Sequence, residues 1–121
     1  MKQVLIVDDS SKVRKRIASL LDESLKITLV GEASNGREAL ELVERKRPDM
    51  ILLDIRLPNQ SGIALLKRFK SRYPEMAVIM LTNLDGPRYR QVCRGLGADG
   101  FLNKAMDFER IAETITGHPT H

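Results

Sequence analysis

Aromatic residues and cysteines are scarce in this sequence of 121 residues. It has no tryptophan, and aromatic residues make up only 4% of it, so the stacking surfaces that bind single-stranded nucleic acid are not expected. Cys93 is the only cysteine, which excludes an internal disulfide bond. Cys93 falls in an apolar helical stripe, so we expect its small side chain to be buried. The lack of a possible disulfide is in keeping with a reducing, cytoplasmic setting, which we also expect.

A long hydrophobic run and a concentrated charge are also missing. The apolar stretch near the amino terminus, QVLIV at 3–7, is far too short for a signal peptide or a membrane span. The net charge of +4 comes from basic residues spread over helical segments, Arg14 and Lys70 among them, and each segment is typical of a solvated helix face. We therefore predict neither membrane association nor direct nucleic-acid binding.

The sequence does contain a regular alternation of apolar strands and amphipathic helices. The predicted strands are at 3–7, 27–33, 49–53, 76–81 and 98–102. Apolar residues at helical spacing follow each strand. The predicted helix caps are Ser10 or Ser11, Asn35, Asp85 and Asp107, and the last helix is predicted at about 107–116, with residues 117–121 as a tail.

This alternation predicts the fold class. A chain of this length fits one domain, residues 1–121, with a core of its own. The first, third and fourth strands are almost wholly apolar, as in a parallel sheet that is covered on both faces. Right-handed connections then predict an α/β domain with helices on both sides of a five-stranded parallel sheet.

Polar residues follow four of the predicted strands. They are Asp8 and Asp9 after the first, Asp54 after the third, Thr82 and Asn83 after the fourth, and Lys104 after the fifth. Each residue alone would be an ordinary cap, turn residue or solvated charge. Together they are expected at one edge of the sheet, because ligands of open α/β sheets bind at the carboxyl ends of the strands.

The chemistry of this set is that of phosphoryl transfer. Three carboxylates beside one lysine repel each other, which a divalent cation with oxygen ligands relieves, and Mg²⁺ or Mn²⁺ suits such ligands. A carboxylate can attack phosphorus as a nucleophile, and Lys104 and the Thr82 hydroxyl can stabilise the product oxygens. We predict that Asp54 accepts a phosphoryl group beside a metal held by Asp8 and Asp9.

Over residues 2–116 the chain resembles the receiver domain of bacterial two-component response regulators. The stretches that carry the resemblance are VLIVDDS, DMILLDIRLPNQSG, AVIMLTN and GADGFLNK. The resemblance implies a flavodoxin-like doubly wound (βα)5 sandwich with strand order 2-1-3-4-5. It also implies a phosphoacceptor in a phosphorelay, with a histidine kinase or phosphotransfer protein as donor. The chain would then be no enzyme beyond its own phosphorylation and dephosphorylation.

The resemblance also implies roles for single residues. Asp9, Asp54 and the main-chain carbonyl of Arg56 would ligate Mg²⁺, and Asp8 would act through bound water. Lys104 would pair with the phosphoryl oxygens. The remaining implied positions are Thr82 and Phe101 as switch residues and Pro58 and Gly62 in the loop after the acceptor. A downstream protein or a second copy would bind the face formed by the fourth helix, the fifth strand and the fifth helix.

Some positions depart from the family pattern. Ala105 stands where the family usually has proline after a cis peptide, and a cis bond before a non-proline residue costs about 2.5–4 kcal/mol, so the isomer of the Lys104–Ala105 peptide stays open. Asn83 replaces a usually small residue and would crowd the pocket mouth. Arg56 and Leu84 occupy positions that tune dephosphorylation, so the lifetime of the phosphoryl group also stays open.

Two other functions compete with this interpretation. Asn83 and Ala105 favour a receiver-like interaction module that works without phosphorylation. An aspartyl-nucleophile phosphohydrolase of the haloacid-dehalogenase type is less well supported, because Arg56 stands where such enzymes carry a second acid and no cap domain fits. The sequence shows no output domain, so it predicts either a stand-alone receiver or a piece of a longer regulator.

Overall fold

The computed structural model describes residues 1–84 and 86–118, which form five strands and five helices in strict alternation. The strands are β1 (Lys2–Val7), β2 (Ile27–Ala33), β3 (Met50–Leu53), β4 (Ala77–Thr82) and β5 (Gly100–Asn103). The helices are α1 (Ser11–Asp22), α2 (Gly36–Lys46), α3 (Gly62–Arg72), α4 (Pro87–Gly95) and α5 (Ile111–Gly117). Every strand begins and ends within two residues of its predicted bounds.

All five strands are parallel, in the order β2-β1-β3-β4-β5. The ends of neighbouring strands are in register, so that Val7 pairs with Leu53 and Thr82 pairs with Asn103. Because parallel strands finish at the same edge, the residues that follow β1, β3 and β5 come together there with the end of β4. The predicted fold class and strand order are confirmed.

The sheet separates two hydrophobic cores. Alternate residues of a strand point to opposite faces, so Ile51 and Leu53 pack under α2, α3 and α4, whereas Met50 and Leu52 pack under α1 and α5. All four residues of β3 are buried, and each contributes about 1.5–3 kcal/mol through burial. This double burial explains why the central strands are almost continuously apolar.

Three helices begin at side-chain caps. The Ser10 hydroxyl accepts from the Val13 N–H at 3.2 Å, and the Asn35 side-chain oxygen accepts from the Glu38 N–H at 2.9 Å. These two caps confirm the prediction and decide for Ser10 over Ser11. The Ser61 hydroxyl caps α3 in the same way, whereas Asp85, the cap predicted for α4, lies outside the described residues.

The last helix begins later than the sequence predicts. The carboxylate of Asp107 accepts from the Asn103 N–H at 2.9 Å and so bonds back to the end of β5. Residues Phe108–Arg110 consequently form a 3₁₀ turn, and α5 covers Ile111–Gly117. The His118 carbonyl accepts a hydrogen bond from the Lys2 side chain, and residues 119–121 lie outside the described part of the chain.

Candidate functional site

The polar edge predicted from the sequence is present at the carboxyl ends of the strands. Asp8 directly follows β1, Asp54 directly follows β3, Thr82 ends β4 and Lys104 directly follows β5. Asp8, Asp54 and Thr82 are buried, with 2%, 4% and 1% of their surfaces exposed, whereas Asp9 is exposed. Buried polar side chains are expensive unless they are paired, so their partners decide what this edge can do.

Lys104 joins two of the carboxylates. Its ammonium lies 2.5 Å from Asp8 Oδ2 and 2.7 Å from Asp54 Oδ2. Burial lowers the pKa of Lys104, but its hydrogen bonds to Asp54 and Asp8 outweigh burial, and the pKa is raised overall. Burial also raises the pKa of Asp8, against the opposing effect of the bond to Lys104. The site therefore holds a firmly charged ammonium beside an Asp8 carboxylate whose charged form is disfavoured by burial.

The carboxylate of Asp9 completes an acidic cluster. Oxygen atoms of Asp8, Asp9 and Asp54 all lie within 4.8 Å of one another. The cluster has three carboxylates and one ammonium, which pairs with Asp8 and Asp54, so it carries excess negative charge when all are ionised. Hard oxygen donors with excess charge are the ligand set that Mg²⁺ prefers. These donors fit the predicted metal ion.

The main chain holds both buried acids in place. The Asp8 N–H donates to the Ala33 carbonyl at 3.0 Å, and the Asp54 N–H donates to the Val7 carbonyl at 3.1 Å, so both acids continue the sheet. Asp8 Oδ1 also accepts from the Ser10 N–H at 2.9 Å. The carboxylates are thus fixed relative to each other before any ligand binds, which is the preorganisation that a charged site needs.

The loop after Asp54 is shaped by a close approach at Gly62. A Cβ atom at this position would lie 1.9 Å from the Asp54 carbonyl oxygen, so no larger residue fits. The Gly62 N–H donates to the Ile55 carbonyl at 2.7 Å, and Asn59, at the loop tip after Pro58, has a φ of 63°. Gly62, predicted from the sequence to lie in this loop, is the first residue of α3, and its contact with the backbone of Asp54 gives the physical reason for the glycine.

An open pocket of about 230 Å³ lies over the cluster. Its lining residues are Asp9, Asp54, Arg56, Thr82, Asn83, Leu84 and Lys104. Asn83 and Arg56 are exposed at the rim, and the Thr82 hydroxyl accepts from the Leu84 N–H at 3.2 Å. The structure therefore gathers nearly all predicted site residues around one cavity.

Phe101 lies outside that pocket. It is half-buried against the core under α2, α3 and α4 and lines a separate cavity beside α4. The guanidinium of Arg90 sits over its ring at 4.8 Å and donates to its carbonyl at 3.4 Å. Phe101 pairs with Met80, two residues before Thr82. The two predicted switch residues are therefore close in the sheet, but of the two only Thr82 lines the pocket over Asp54.

The Lys104–Ala105 peptide is trans, which answers the question that the missing proline raised. The Lys104 N–H donates to the Thr82 carbonyl at 3.1 Å. The side-chain oxygen of Asn103 accepts from the N–H groups of both Ala105 and Met106 at 2.9 Å. Asn103 therefore shapes the loop that carries Lys104, a role that the sequence analysis missed although an asparagine before a turn is a signal for it.

Arg14 corrects another prediction. The sequence places it on a solvated face, but its side chain is only 18% exposed. It donates to the main-chain carbonyl of Asp8 at 2.6 Å and pairs with Glu32 of β2 at 3.1 Å. Helical spacing alone could not reveal this contact, because both partners lie on other elements of the fold.

A sequence model of the response regulator receiver domain matches residues 4–116. The chain belongs to the response regulator receiver domain family. This finding confirms the family that the motifs indicated. Receiver domains bind Mg²⁺ through an acidic pocket, and this chain has such a cluster in Asp8, Asp9 and Asp54. Members of the family interact with histidine kinases and effector domains, and the domain fits signalling without enzymatic turnover.

Curated relatives share this domain as part of longer proteins. A protein-glutamate methylesterase/protein-glutamine glutaminase of Treponema pallidum is 38% identical over 108 residues, which are 88% of this chain and 27% of that protein. A putative transcriptional regulator of Pseudomonas aeruginosa is 39% identical over 111 residues, 92% of this chain and 53% of the relative. The receiver therefore spans about a quarter to a half of these relatives.

Solved receiver structures have the same architecture. The signal receiver domain of the putative response regulator NarL from Mycobacterium tuberculosis matches with a TM-score of 0.89 and 29% identity, over 96% of this chain and 94% of that one. The response regulator domain of Thermotoga maritima CheB matches with a TM-score of 0.85 and 31% identity, over 97% and 92% of the chains. In the described part of this receiver, no helix is long and apolar enough to cross a membrane.

Proposed function

We propose that this receiver accepts a phosphoryl group on Asp54 in a two-component phosphorelay, from a histidine kinase or a phosphotransfer protein. The observation that carries the proposal is the charge imbalance around Asp54. Its buried carboxylate lines the open pocket, bonds to Lys104 and has the carboxylates of Asp8 and Asp9 within 4.8 Å. A structural ion pair needs no such surplus of acids, whereas a phosphoryl-transfer site does.

The metal proposed for this site is Mg²⁺, with Mn²⁺ as a substitute. Asp9, Asp54 and the main-chain carbonyl of Arg56 would hold it directly, and Asp8 would hold it through bound water. When bound, the ion supplies positive charge that neutralises the phosphoryl oxygens. Asp9 is exposed at the pocket rim, so it is open to a hydrated cation that dehydrates reluctantly.

The residues of the chain perform the transfer itself. A carboxylate oxygen of Asp54 forms a bond to phosphorus while the bond from phosphorus to the donor's histidine nitrogen breaks, and the nitrogen keeps the electron pair. Lys104 already faces Asp54 at 2.7 Å and would stay paired with the new phosphoryl oxygens. Its raised pKa keeps it charged throughout.

Thr82 and Phe101 would carry the signal away from Asp54. The new phosphoryl oxygens attract the Thr82 hydroxyl, which would then leave its bond with the Leu84 N–H. Space vacated behind Thr82 would be filled by Phe101 turning inward, because an apolar void loses packing energy. The face of α4, β5 and α5 would change shape, and a downstream protein or a second copy would bind it in one of the two states.

The remaining proposals concern the setting of this activity. We expect the relay to operate in the cytoplasm and the chain to catalyse only its own phosphorylation and dephosphorylation. Residues 1–121 would act as one receiver unit, and any methylesterase or DNA-binding activity would belong to other domains. Asn83, Arg56 and Leu84 surround the pocket mouth and would set the rates at which the phosphoryl group arrives and leaves.

The decisive experiment is incubation with acetyl phosphate and Mg²⁺, followed by intact-mass measurement. We expect the wild type to gain one phosphoryl group, Asp54→Asn to gain none, and the distant control Asp99→Asn to gain one. Excess EDTA should prevent the gain. Phosphorylation of Asp54→Asn at another acid would overturn the assignment of the acceptor.

The same experiment separates the competing functions. A phosphorylation-independent interaction module would show no gain in mass with any donor. A phosphohydrolase would release phosphate from small esters over many turnovers, well in excess of the protein. The pairing of Lys104 with both buried acids favours the receiver function over either alternative.

A further inference from the structure

Arg14 of α1 contacts the main chain of Asp8, whereas Lys104 contacts its side chain. One guanidinium nitrogen, Nη1, donates to the main-chain carbonyl of Asp8 at 2.6 Å. A second, Nε, donates to Glu32 Oε1 at 3.1 Å. Only 18% of the Arg14 side chain is exposed, whereas Glu32 is 39% exposed. The bond to the Asp8 carbonyl is therefore the more shielded of the two, and a shielded bond is stronger than one at an open surface.

The bond to Arg14 completes the fixation of Asp8. The Asp8 N–H donates to Ala33, Oδ1 accepts from the Ser10 N–H, and Oδ2 faces Lys104. The carbonyl is the fourth polar group of the residue, and it belongs to the peptide that links Asp8 to Asp9. Arg14 therefore holds the peptide plane from which the backbone of Asp9 starts.

Asp9 depends on that backbone. Within residues 1–84 and 86–118, no hydrogen bond or ion pair holds the Asp9 carboxylate, although it lies within 4.8 Å of the other two acids. An exposed side chain without a partner can change rotamer, so only its main chain fixes the point from which it extends. Whatever orients the Asp8–Asp9 peptide consequently sets the main-chain position from which the Asp9 carboxylate can reach the ion.

We propose that Arg14 is a positioning residue of the metal site: held by Glu32, it fixes the Asp8–Asp9 peptide and thereby directs the Asp9 carboxylate toward the ion. This inference rests on the proposed metal site. Residues that orient ligands without touching the metal typically contribute 10–100-fold to metal affinity or activity. Arg14 would act in this way through a main-chain carbonyl.

Charge and orientation make opposite predictions for Arg14. Loss of a nearby positive charge makes the site more negative, so a purely electrostatic role predicts tighter Mg²⁺ binding in Arg14→Gln. A positioning role predicts weaker binding, because the peptide is released. Arg14→Lys keeps the charge but loses the planar fork that spans two acceptors, so positioning predicts weaker binding there as well.

The test is a Mg²⁺ titration of the unphosphorylated protein, followed by amide NMR. We expect Arg14→Gln and Arg14→Lys to bind Mg²⁺ about 10-fold more weakly than the wild type. The matched control is Arg37→Gln, which breaks an exposed arginine–glutamate pair on α2 and should bind as the wild type does. Amide exchange in metal-free Arg14→Gln should be faster at Asp9 and Ser10 than in the control.

A second readout distinguishes positioning from general loss of structure. At low Mg²⁺ both Arg14 variants should be phosphorylated slowly by acetyl phosphate, and saturating Mg²⁺ should restore a rate near that of the wild type. Arg14 variants that bind Mg²⁺ as tightly as the wild type, or more tightly, would overturn the inference. A deficit that saturating Mg²⁺ leaves unchanged would overturn it too. If the wild type itself binds no Mg²⁺, the proposed metal site fails, which is a different result.

Discussion

Two lysine–carboxylate contacts lie at opposite ends of the sheet and differ in their charge balance. At the carboxyl edge, the Lys104 ammonium faces Asp8 and Asp54, with Asp9 close by. At the amino edge, the Lys70 ammonium faces Asp99 at 3.1 Å. The two lysines are similarly covered, with 14% and 17% of their side chains exposed, but Asp8 and Asp54 are more deeply buried than Asp99, at 3%, 5% and 25%.

The contact at the amino edge is balanced and fully used. Lys70 also donates to the carbonyls of Pro74 and Met76 at 3.2 and 3.0 Å. The Asp99 oxygen that faces it also accepts from the Val78 N–H at 2.9 Å. One cation, one anion and three main-chain groups satisfy each other there and fasten α3 to β4 and β5. Its role in holding these elements together is sufficient to explain the contact, and no further function is needed.

The contact at the carboxyl edge is not balanced. Three carboxylates lie close together, but the one ammonium pairs with only two of them, and burial raises the pKa of Asp8. Selection for stability alone would remove such a surplus, and proteins keep destabilising groups mainly at functional sites. The functional lysine is distinguished by the surplus and the deeper burial of its acidic neighbours, since the two lysines themselves are about equally covered.

Removal of each lysine should give the largest effects on stability, and the two losses should differ in size. Lys104→Met leaves buried acids without a cation and should lower the free energy of unfolding by about 3–5 kcal/mol. Lys70→Met loses hydrogen bonds to neutral and charged groups and should cost about 1–2 kcal/mol. Urea unfolding followed by circular dichroism measures both. Mg²⁺ should recover part of the loss in Lys104→Met and none in Lys70→Met.

Mg²⁺ should stabilise the protein only through the acidic cluster of Asp8, Asp9 and Asp54 at the carboxyl edge. At ten times its dissociation constant, Mg²⁺ should raise the free energy of unfolding of the wild type by about 1.4 kcal/mol. Asp9→Ala removes an exposed ligand and should abolish most of this gain. Asp99→Asn should keep the gain in full. A thermal melt with and without Mg²⁺ checks this, and equal stabilisation of both variants would place the metal elsewhere.

Neutralising one acid at each end should change stability in opposite directions. Because burial raises the pKa of Asp8, its folded form holds a proton more tightly than its unfolded form. Stability is therefore lost as the pH rises from the ordinary carboxyl range through the raised pKa. In EDTA at neutral pH, Asp8→Asn should therefore be more stable than the wild type, because it removes the buried charge.

The matched variant is Asp99→Asn, which weakens the bonds to Lys70 and Val78 and should be less stable by about 1 kcal/mol. Urea midpoints across the pH range measure both. The advantage of Asp8→Asn should vanish below the ordinary carboxyl range, where the wild-type acid is protonated in both states. A stability difference of Asp8→Asn that does not change with pH would show that desolvation of the charge is not its cause.

The smallest expected effect concerns the access of a phosphodonor to Asp54 at the carboxyl edge. Asn83 is exposed at the mouth of the pocket over Asp54. Asn83→Ala should speed phosphorylation by acetyl phosphate about two- to five-fold, a change of about 0.5–1 kcal/mol in the barrier. Rates come from a time course of intact masses of the wild type and the variant. An equal or slower rate would show that Asn83 does not gate the site.

Much of the fold could be predicted because its signals are local. Apolar spacing indicated the strands and helices, and Ser10 and Asn35 cap the helices that they precede. The start of the last helix was predicted less accurately. The Asp107 side chain can either cap that helix or bond back to an earlier main-chain group, and the local sequence does not distinguish the two. The Asp107 carboxylate accepts from the Asn103 N–H, a bond that depends on where β5 ends in the folded structure.

By itself the sequence determined the order of strands and helices, the two-sided burial of the central strands and the arrival of acids, hydroxyl and lysine at one edge. The tertiary structure alone decided which of these groups touch. Lys104 meets Asp54 across 50 residues of chain, and Arg14, which looked solvated, is covered by its contacts with Asp8 and Glu32. Helical and strand periods are local properties, whereas the pairing of charges depends on distances that only the packed sheet sets.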